Sequence, residues 1–414
     1  MAEEAHTDYS LNNPDTLTKY KQAAQISHKA LEFVTGLCIE GAKIVDICER
    51  GDKFLEDEIA KVYKGKKMSK GFGHPTTVSP TSYVTPYTPL KTDAEEAAVE
   101  LKPAEVIKIQ LGAQIDGFCA IVCDTIVIPS EKNENDKHPG REAELLLATH
   151  WANELLLRLM LPPGTLVTGT DDEKNKAAAQ KPYTQAKINQ LLEKVVKSYD
   201  CSLVENTTCW LFDRNEIEGK KKLILAPGEG VKGEGLPEIG EVWGVEMGVS
   251  LGTGKVKTLN NRPTLHRRTT TTYGLKRPSS RATLSEVVKK FGTFPFSLRQ
   301  LEDERAAKVG VVECVRGNVL RQYEVVGDKD NAPVARLFST VSITKNGITR
   351  LAAPPSPDLE QYKTDKKITD EEVLKILEQP IAKNTGAKSK NKKKKKKSAK
   401  KADEEEEAES SEEE

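Results

Sequence analysis

Two periods of apolar residue alternate along this chain. From Asn13 onward, Leu17, Tyr20, Ala24, Leu31 and Val34 recur at helical spacing. Asn13-Pro14-Asp15 supplies a cap, a proline at the first helical position and an acid in the first turn. The pattern predicts one helix ending near Gly36 and a second over Ile39 to Tyr63, interrupted at Gly51. The period then shortens. "KGFGHPTTVSPTSYVTPYTPL" reads as loops and short strands, and "KIQLGAQIDGFCAIVCDTIVI", residues 108 to 128, as a β-hairpin turning at Asp116-Gly117. If Ile115 pairs with Phe118, Gln110 faces Cys123 and Ile121 is its diagonal neighbour, close enough for the side chains to meet. Helical spacing returns at Arg141 to Met160, before Pro162-Pro163-Gly164, and at Tyr183 to Tyr199. Strand-like runs follow at Lys222 to Ala226, Glu241 to Ser250, Gly310 to Cys314 and Val334 to Ile343. Between them "TLSEVVKKFG" and "SLRQLEDERAAKVG" read as helical, and a short helix is predicted at Thr369 to Glu378. Long helices interleaved with antiparallel strands, without regular βαβ alternation, define an α+β fold.

Composition changes this picture mainly at the end of the chain. The 414 residues carry 63 basic and 63 acidic side chains. However, Lys383 to Lys401 holds eleven lysines and no acid, and Asp403 to Glu414 holds nine acids and no base. Such blocks repel themselves, stay disordered and serve as interaction tails. The start has neither the basic nor the apolar region of a secretory signal, and no apolar run approaches the ~20 residues that span a bilayer. The seven cysteines include no C-x-x-C pair. They read as reduced, mostly buried thiols of a cytosolic or nuclear protein. There is no G-x-S-x-G elbow, and "APGEGVKGEG" lacks the ending of a phosphate-binding loop.

Several stretches resemble the methionine-aminopeptidase-like, or pita-bread, family. "LTKYKQAAQISHKAL", "VIKIQLGAQIDGF", "EVWGVEMGVSLGTGK", "YGLKRPSSR" and "FPFSLRQLEDERAAKVGVVEC" are similar to one branch in particular, the proliferation-associated, ErbB-receptor-binding proteins, called curved-DNA-binding proteins in fungi. The resemblance covers residues 14 to 355 and implies a curved sheet over helices in two pseudo-symmetric halves. The resulting layout is a disordered start (1–12), a pita-bread domain (13–360) with a basic insert (255–309), a short helix and linker (361–382) and a disordered tail (383–414).

The family's active members hold two metal ions with two aspartates, a histidine and two glutamates. Carried over by the resemblance, these positions are Gln110, Ile121, Trp210, Glu246 and Phe338. The substrate-side histidine falls at Pro86, and a further active-site histidine near Glu218. Four of the five ligand positions hold residues that do not ligate in this way. A two-metal hydrolase needs bridging carboxylates to hold its cations and activate a water, and hydrocarbons or a neutral amide are poor substitutes. Asp124, three residues past Ile121, falls on the opposite face of its strand. The expectation is therefore a pseudoenzyme without cofactor, with Trp210 and Phe338 filling the vacated space and Glu246 a structural carboxylate. None of the six histidines occupies a mapped ligand position.

The basic residues carry more information. Arg267, Arg268, Lys276, Arg277, Arg281, Lys289, Lys290 and Arg299 cluster in the insert among hydroxyl side chains and Tyr273, which suits phosphate contacts. The run Lys392, Lys393, Lys394, Lys395, Lys396 and Lys397 neutralises phosphates without reading sequence, or serves as a nuclear or nucleolar localisation signal. The acidic end is expected to compete with nucleic acid for these lysines. With the resemblance, this implies a monomeric, RNA-binding partner of the large ribosomal subunit and its rRNA near the tunnel exit. Its roles would lie in ribosome biogenesis, translation regulation and growth, in the cytoplasm and nucleolus and without a membrane partner. The alternatives are a chromatin protein that binds curved DNA and an atypical metallo-aminopeptidase.

Overall fold

The computed structural model describes residues 8–129 and 138–383; the tail, Lys392 to Lys397 included, lies outside the described residues. A nine-stranded sheet organises the chain. Its strands are β1 (Lys70–Pro80), β2 (Val106–Ile115), β3 (Phe118–Val127), β4 (Ser202–Leu203), β5 (Thr207–Phe212), β6 (Lys222–Leu225), β7 (Val242–Ser250), β8 (Val334–Thr344) and β9 (Gly347–Ala352). The order across the sheet is β1-β2-β3-β8-β7-β5-β6, with β9 beside β8 and β4 beside β7. One face is covered by two helix pairs. Helices α1 (Pro14–Leu37) and α2 (Ile44–Lys61) pack on β1 to β3, whereas α3 (Gly140–Leu159) and α4 (Gln185–Lys197) pack toward β7 and β8.

Strand alternation sorts the side chains. Ile109, Leu111 and Ala113 of β2, Ala120 and Val122 of β3, and Trp243, Val245 and Met247 of β7 are buried in the two helix-facing cores. The intervening residues face the other way, into a concave cleft. The hairpin register is the expected one. Ile115 pairs with Phe118, Gln110 with Cys123 and Gly112 with Ile121, about a turn in which Asp116 and Gly117 have φ of 54° and 82°. Asn13 caps α1 through a bond from the Asp15 amide. The ordered chain begins before this cap, because Tyr9 lies against the Arg214 guanidinium at 4.2 Å.

Two predicted elements differ. Helix α2 begins at Ile44 and runs unbroken through Gly51. A Cβ at Gly51 would lie 2.6 Å from Thr76 and 2.8 Å from Val34, so this glycine permits close packing rather than breaking the helix. Gly310 to Cys314 is not a strand but part of a helix over Glu304–Arg316. Its apolar run looks strand-like in sequence. Ala307, Gly310, Val311 and Cys314 nevertheless share one buried helical face, and Gly310 brings its backbone against Thr283.

That helix, α6, packs on α5 (Pro278–Lys290) and on a three-stranded sheet of Leu265–Arg268, Phe296–Ser297 and Leu320–Gln322. Leu90, Val287, Phe291, Phe296, Leu298, Val311 and Cys314 give this lobe its own core. The short final helix, α7, runs from Glu371 to Leu377. All seven cysteines are buried and free. Among the described residues, no helix is long and apolar enough to cross a membrane.

Candidate functional site

The five ligand positions carried over from the resemblance come from five adjacent strands and converge on one cleft. Gln110 lies on β2, Ile121 on β3, Phe338 on β8, Glu246 on β7 and Trp210 on β5. Phe338 is opposite both Cys123 and Glu246, and Trp210 is opposite Gly244. Pro86 and Glu218 also line this cleft.

The centre of the cleft is occupied by Arg336, a residue the sequence reasoning missed. It lies two positions before Phe338 and therefore on the same face of β8. Only 2 % of Arg336 is exposed. Its Nε donates to Glu246 Oε1 at 2.8 Å and its Nη2 to Gln110 Oε1 at 2.9 Å, with a second bond from Nη2 to Glu246. The signal lay in "ARLFSTV": a basic residue at i−2 from a vacated carboxylate position points into the same space. Glu246 is thus a structural carboxylate paired with a fixed cation, consistent with its expected role.

Local sequence explains how the strands accommodate this. Strands β3 and β8 share one backbone register pair, and two threonine hydroxyls bridge them around it. Thr125 Oγ1 donates to the Arg336 carbonyl at 2.6 Å and accepts from its amide at 2.7 Å. Thr340 Oγ1 makes the equivalent pair with Ile121, both at 2.9 Å. Each hydroxyl meets a donor and an acceptor that the ladder would otherwise leave unpaired. On β7, Gly244 leaves room for the rings of Phe212 and Phe338, which a Cβ would approach to 2.5 and 2.6 Å.

Around the mouth, Glu218 accepts from Tyr323 Oη at 2.8 Å and pairs with Arg321 and, at 3.2 Å, with Arg267. His74 lines the cleft from β1 and is 4 % exposed. Its Nδ1 bonds to the Pro75 carbonyl at 2.8 Å. Burial, reinforced by the charge of Arg336, holds its imidazole down at about 4, so it is neutral at ordinary pH. The aromatic residues only partly fill the cleft: about 410 Å³ remains, walled by Ile121, Trp210, Phe212, Ile217 and Phe338.

A dinuclear metal centre does not fit this donor set. The Gln110 carbonyl and one Glu246 oxygen already accept from Arg336, and an incoming cation would meet its guanidinium. Among the described residues, no group of three or more His, Cys, Asp or Glu is arranged to hold a metal ion.

The basic residues of the lobe divide into two sets. Arg299 is buried, pairs with Asp52 at 2.9 Å, and donates to Thr88 and the Thr76 carbonyl. Arg267 is also buried, paired with Glu216 and Glu218. Both hold the lobe to the body and are withdrawn from any outer surface. Arg268 is half-buried, while Lys276, Arg277, Arg281, Lys289 and Lys290 are exposed. Lys290 is paired with Glu286; Lys276, Arg277, Arg281 and Lys289 make no ion pair among the described residues.

Residues 18–199 match the model of metallopeptidase family M24, and the architecture is that family's pita-bread fold. Over 94 % of its length the chain is 38 % identical to the "Curved DNA-binding protein" of Schizosaccharomyces pombe, covering 96 % of that relative. It is 33 % identical to "ERBB-3 BINDING PROTEIN 1" of Solanum tuberosum, with 94 % of both chains covered. A solved structure, "Structure of a thermophilic Arx1", superposes with a TM-score of 0.88 at 68 % identity, covering 90 % of this chain and all of that one. The chain belongs to the proliferation-associated, ErbB-3-binding and curved-DNA-binding branch of the pita-bread fold.

Proposed function

We propose that the protein is a non-catalytic member of the M24 fold that docks on structured RNA of the large ribosomal subunit and acts in ribosome assembly and translation control. The observation that carries this reading is the outer surface of the lobe. Lys276, Arg277, Arg281 and Lys289 are exposed and make no ion pair among the described residues, yet the backbone beneath them is pinned. The Glu313 carboxylate accepts from the Lys276 and Arg277 amides at 2.8 and 3.0 Å. Arg281 Nη1 donates to the Leu275 and Lys276 carbonyls at 3.0 and 2.8 Å. Cations held on a rigid scaffold set a fixed docking register, which charge alone does not supply. Tyr273, 50 % exposed beside them, offers a ring on which an unpaired base stacks, which favours RNA over bent duplex DNA. The absence of a usable metal-ligand set in the cleft supports the non-catalytic half of the proposal.

Charge reversal at Lys276, Arg277 and Lys289 tests it in a ribosome co-sedimentation assay across a salt series. Docking on large subunits should be lost, while the melting transition hardly moves, since solvated surface substitutions usually shift stability by less than about 0.5 kcal/mol each. Normal docking by the reversed protein would overturn the assignment. Displacement by a bent DNA duplex more readily than by an rRNA fragment would move it to chromatin.

A further inference from the structure

Behind the cleft, on the helix-facing side of the same strands, lies a second cavity of about 250 Å³. Strand alternation builds it: Asp124 of β3 and Leu337 and Ser339 of β8 point away from Arg336 and Phe338. Helix α3 adds Leu146, His150, Asn153 and Glu154, and Ala353 to Pro357 form an outer wall. The start of that wall is held by α1, where His28 Nε2 lies 2.9 Å from the Ala353 carbonyl.

Two of the buried polar atoms that lack partners among the described residues border this one cavity, while the others are spread through the interior. Asn153 and Ser339 are 5 % and 1 % exposed, yet Asn153 Oδ1 and Ser339 Oγ have no hydrogen-bond partner among the described residues. His150 makes no hydrogen bond among the described residues; its ring only packs on Trp151. Asp124 accepts from the adjacent Thr125 amide at 2.8 Å and has no cationic partner among the described residues. Buried polar atoms are ordinarily satisfied, and leaving one unmet costs about 1–3 kcal/mol. Several unmet groups around one cavity describe a site waiting for a complement.

Charge identifies that complement. Arg350 and Arg158 are both turned to Glu154 and neither pairs with Asp124, which is the carboxylate here without a cationic partner among the described residues. An anion would be repelled by this carboxylate, and the donor set meets no metal-binding arrangement among the described residues. Leu146, Val127, Leu337 and the prolines supply an apolar wall beside these polar groups. At the small end of ligand pockets, the cavity suits a few heavy atoms. We infer that this rear cavity binds a small organic ammonium group on a short aliphatic chain, with Asp124, Asn153 and Ser339 accepting its hydrogen bonds.

Burial pushes the Asp124 carboxyl up to about 7. The titratable and charged groups that line the cavity with it are His150 and Glu154 from α3, Arg350 from β9 and Tyr362. An alkylammonium, like a lysine side chain, stays charged to about pH 10. Binding should therefore strengthen as pH rises from 5.5 to 8; burial holds the His150 imidazole below its ordinary value, so the carboxyl dominates this dependence.

Calorimetric titration of the full chain with n-butylamine at pH 8 tests the inference, with n-butanol as the uncharged analogue. Saturable amine binding is expected, at least tenfold weaker at pH 5.5 and at least tenfold weaker for n-butanol. Asp124→Asn should lose tenfold or more, and Ser339→Ala should lose less. No saturable binding by the unaltered protein, equal affinity for the alcohol, or unchanged affinity in Asp124→Asn would each overturn it. Should Asp124→Asn fail to fold, the pH and alcohol comparisons on the unaltered protein decide the matter.

Discussion

Strands β3 and β8 present the same backbone to two cavities, and the two faces treat their carboxylates differently. In the front cleft, Arg336 bonds to both Gln110 and Glu246, and Glu218 gathers Tyr323, Arg321 and Arg267. At the rear, Asp124, His150, Asn153 and Ser339 surround empty space without bonding to one another. The larger cavity gathers the positions that the family resemblance maps as metal ligands, and its charged centre is held as scaffold. The smaller cavity holds a carboxylate, Asp124, without a cationic partner among the described residues. Charge pairing, rather than pocket size, separates the two.

The sharpest way to break the front network is to remove its anion. Glu246→Leu leaves the Arg336 guanidinium buried and without a charged partner, and should destabilise the protein by roughly 3–5 kcal/mol. The double variant Glu246→Leu/Arg336→Met should recover most of that loss. Urea denaturation of the single and double variants measures both quantities. A loss below about 1 kcal/mol for the single variant would mean that the guanidinium is not confined as described.

Packing in the same cleft gives a smaller effect. Gly244→Ala drives a methyl into the rings of Phe212 and Phe338, and such overpacking costs about 1–3 kcal/mol. Thermal unfolding should show the loss without a change in far-ultraviolet dichroism. An unshifted transition would mean that the rings have room to retreat into the cleft.

The rear face should respond in the opposite sense. Burial raises the Asp124 carboxyl from 3.8 to about 7, so folding favours its protonated form. The associated stability is fully present below about pH 4 and is lost as pH rises through 7. Asp124→Asn removes that dependence and should stabilise the protein at pH 8, with no gain near pH 4. His150 is common to both proteins, so their difference isolates the carboxyl. A gain independent of pH would show that Asp124 is already solvated in the cavity.

Much of this architecture was legible in the sequence. The Asp116-Gly117 turn and alternating apolar residues define the hairpin register, and with it the opposed faces of Ile121 and Asp124. The convergence of Gln110, Ile121, Trp210, Glu246 and Phe338 required the family resemblance, because five strands distant in sequence supply them. Arg336 was missed because attention fell on positions where ligands are absent, while the replacement charge sits two residues away. Gly51 and Gly310 misled for a common reason: a glycine that admits a neighbouring helix or strand looks, in one dimension, like a breaker or a strand residue. The burial of Arg267 and Arg299 was likewise hidden, since their partners Glu216, Glu218 and Asp52 lie far away in the chain.

Arg336 also governs how the cleft can change over evolutionary time. Rebuilding a five-ligand dinuclear centre would require new side chains at Gln110, Ile121, Trp210 and Phe338. A carboxylate introduced at one of these would be drawn to the guanidinium before it could hold a metal. Removing Arg336 first would strand Glu246, and changing Glu246 first would strand Arg336. Each single step away from the present arrangement descends in stability before any catalytic benefit can be selected. The arginine acts as a ratchet, holding the present donor set in place while leaving the outer lobe free to diversify.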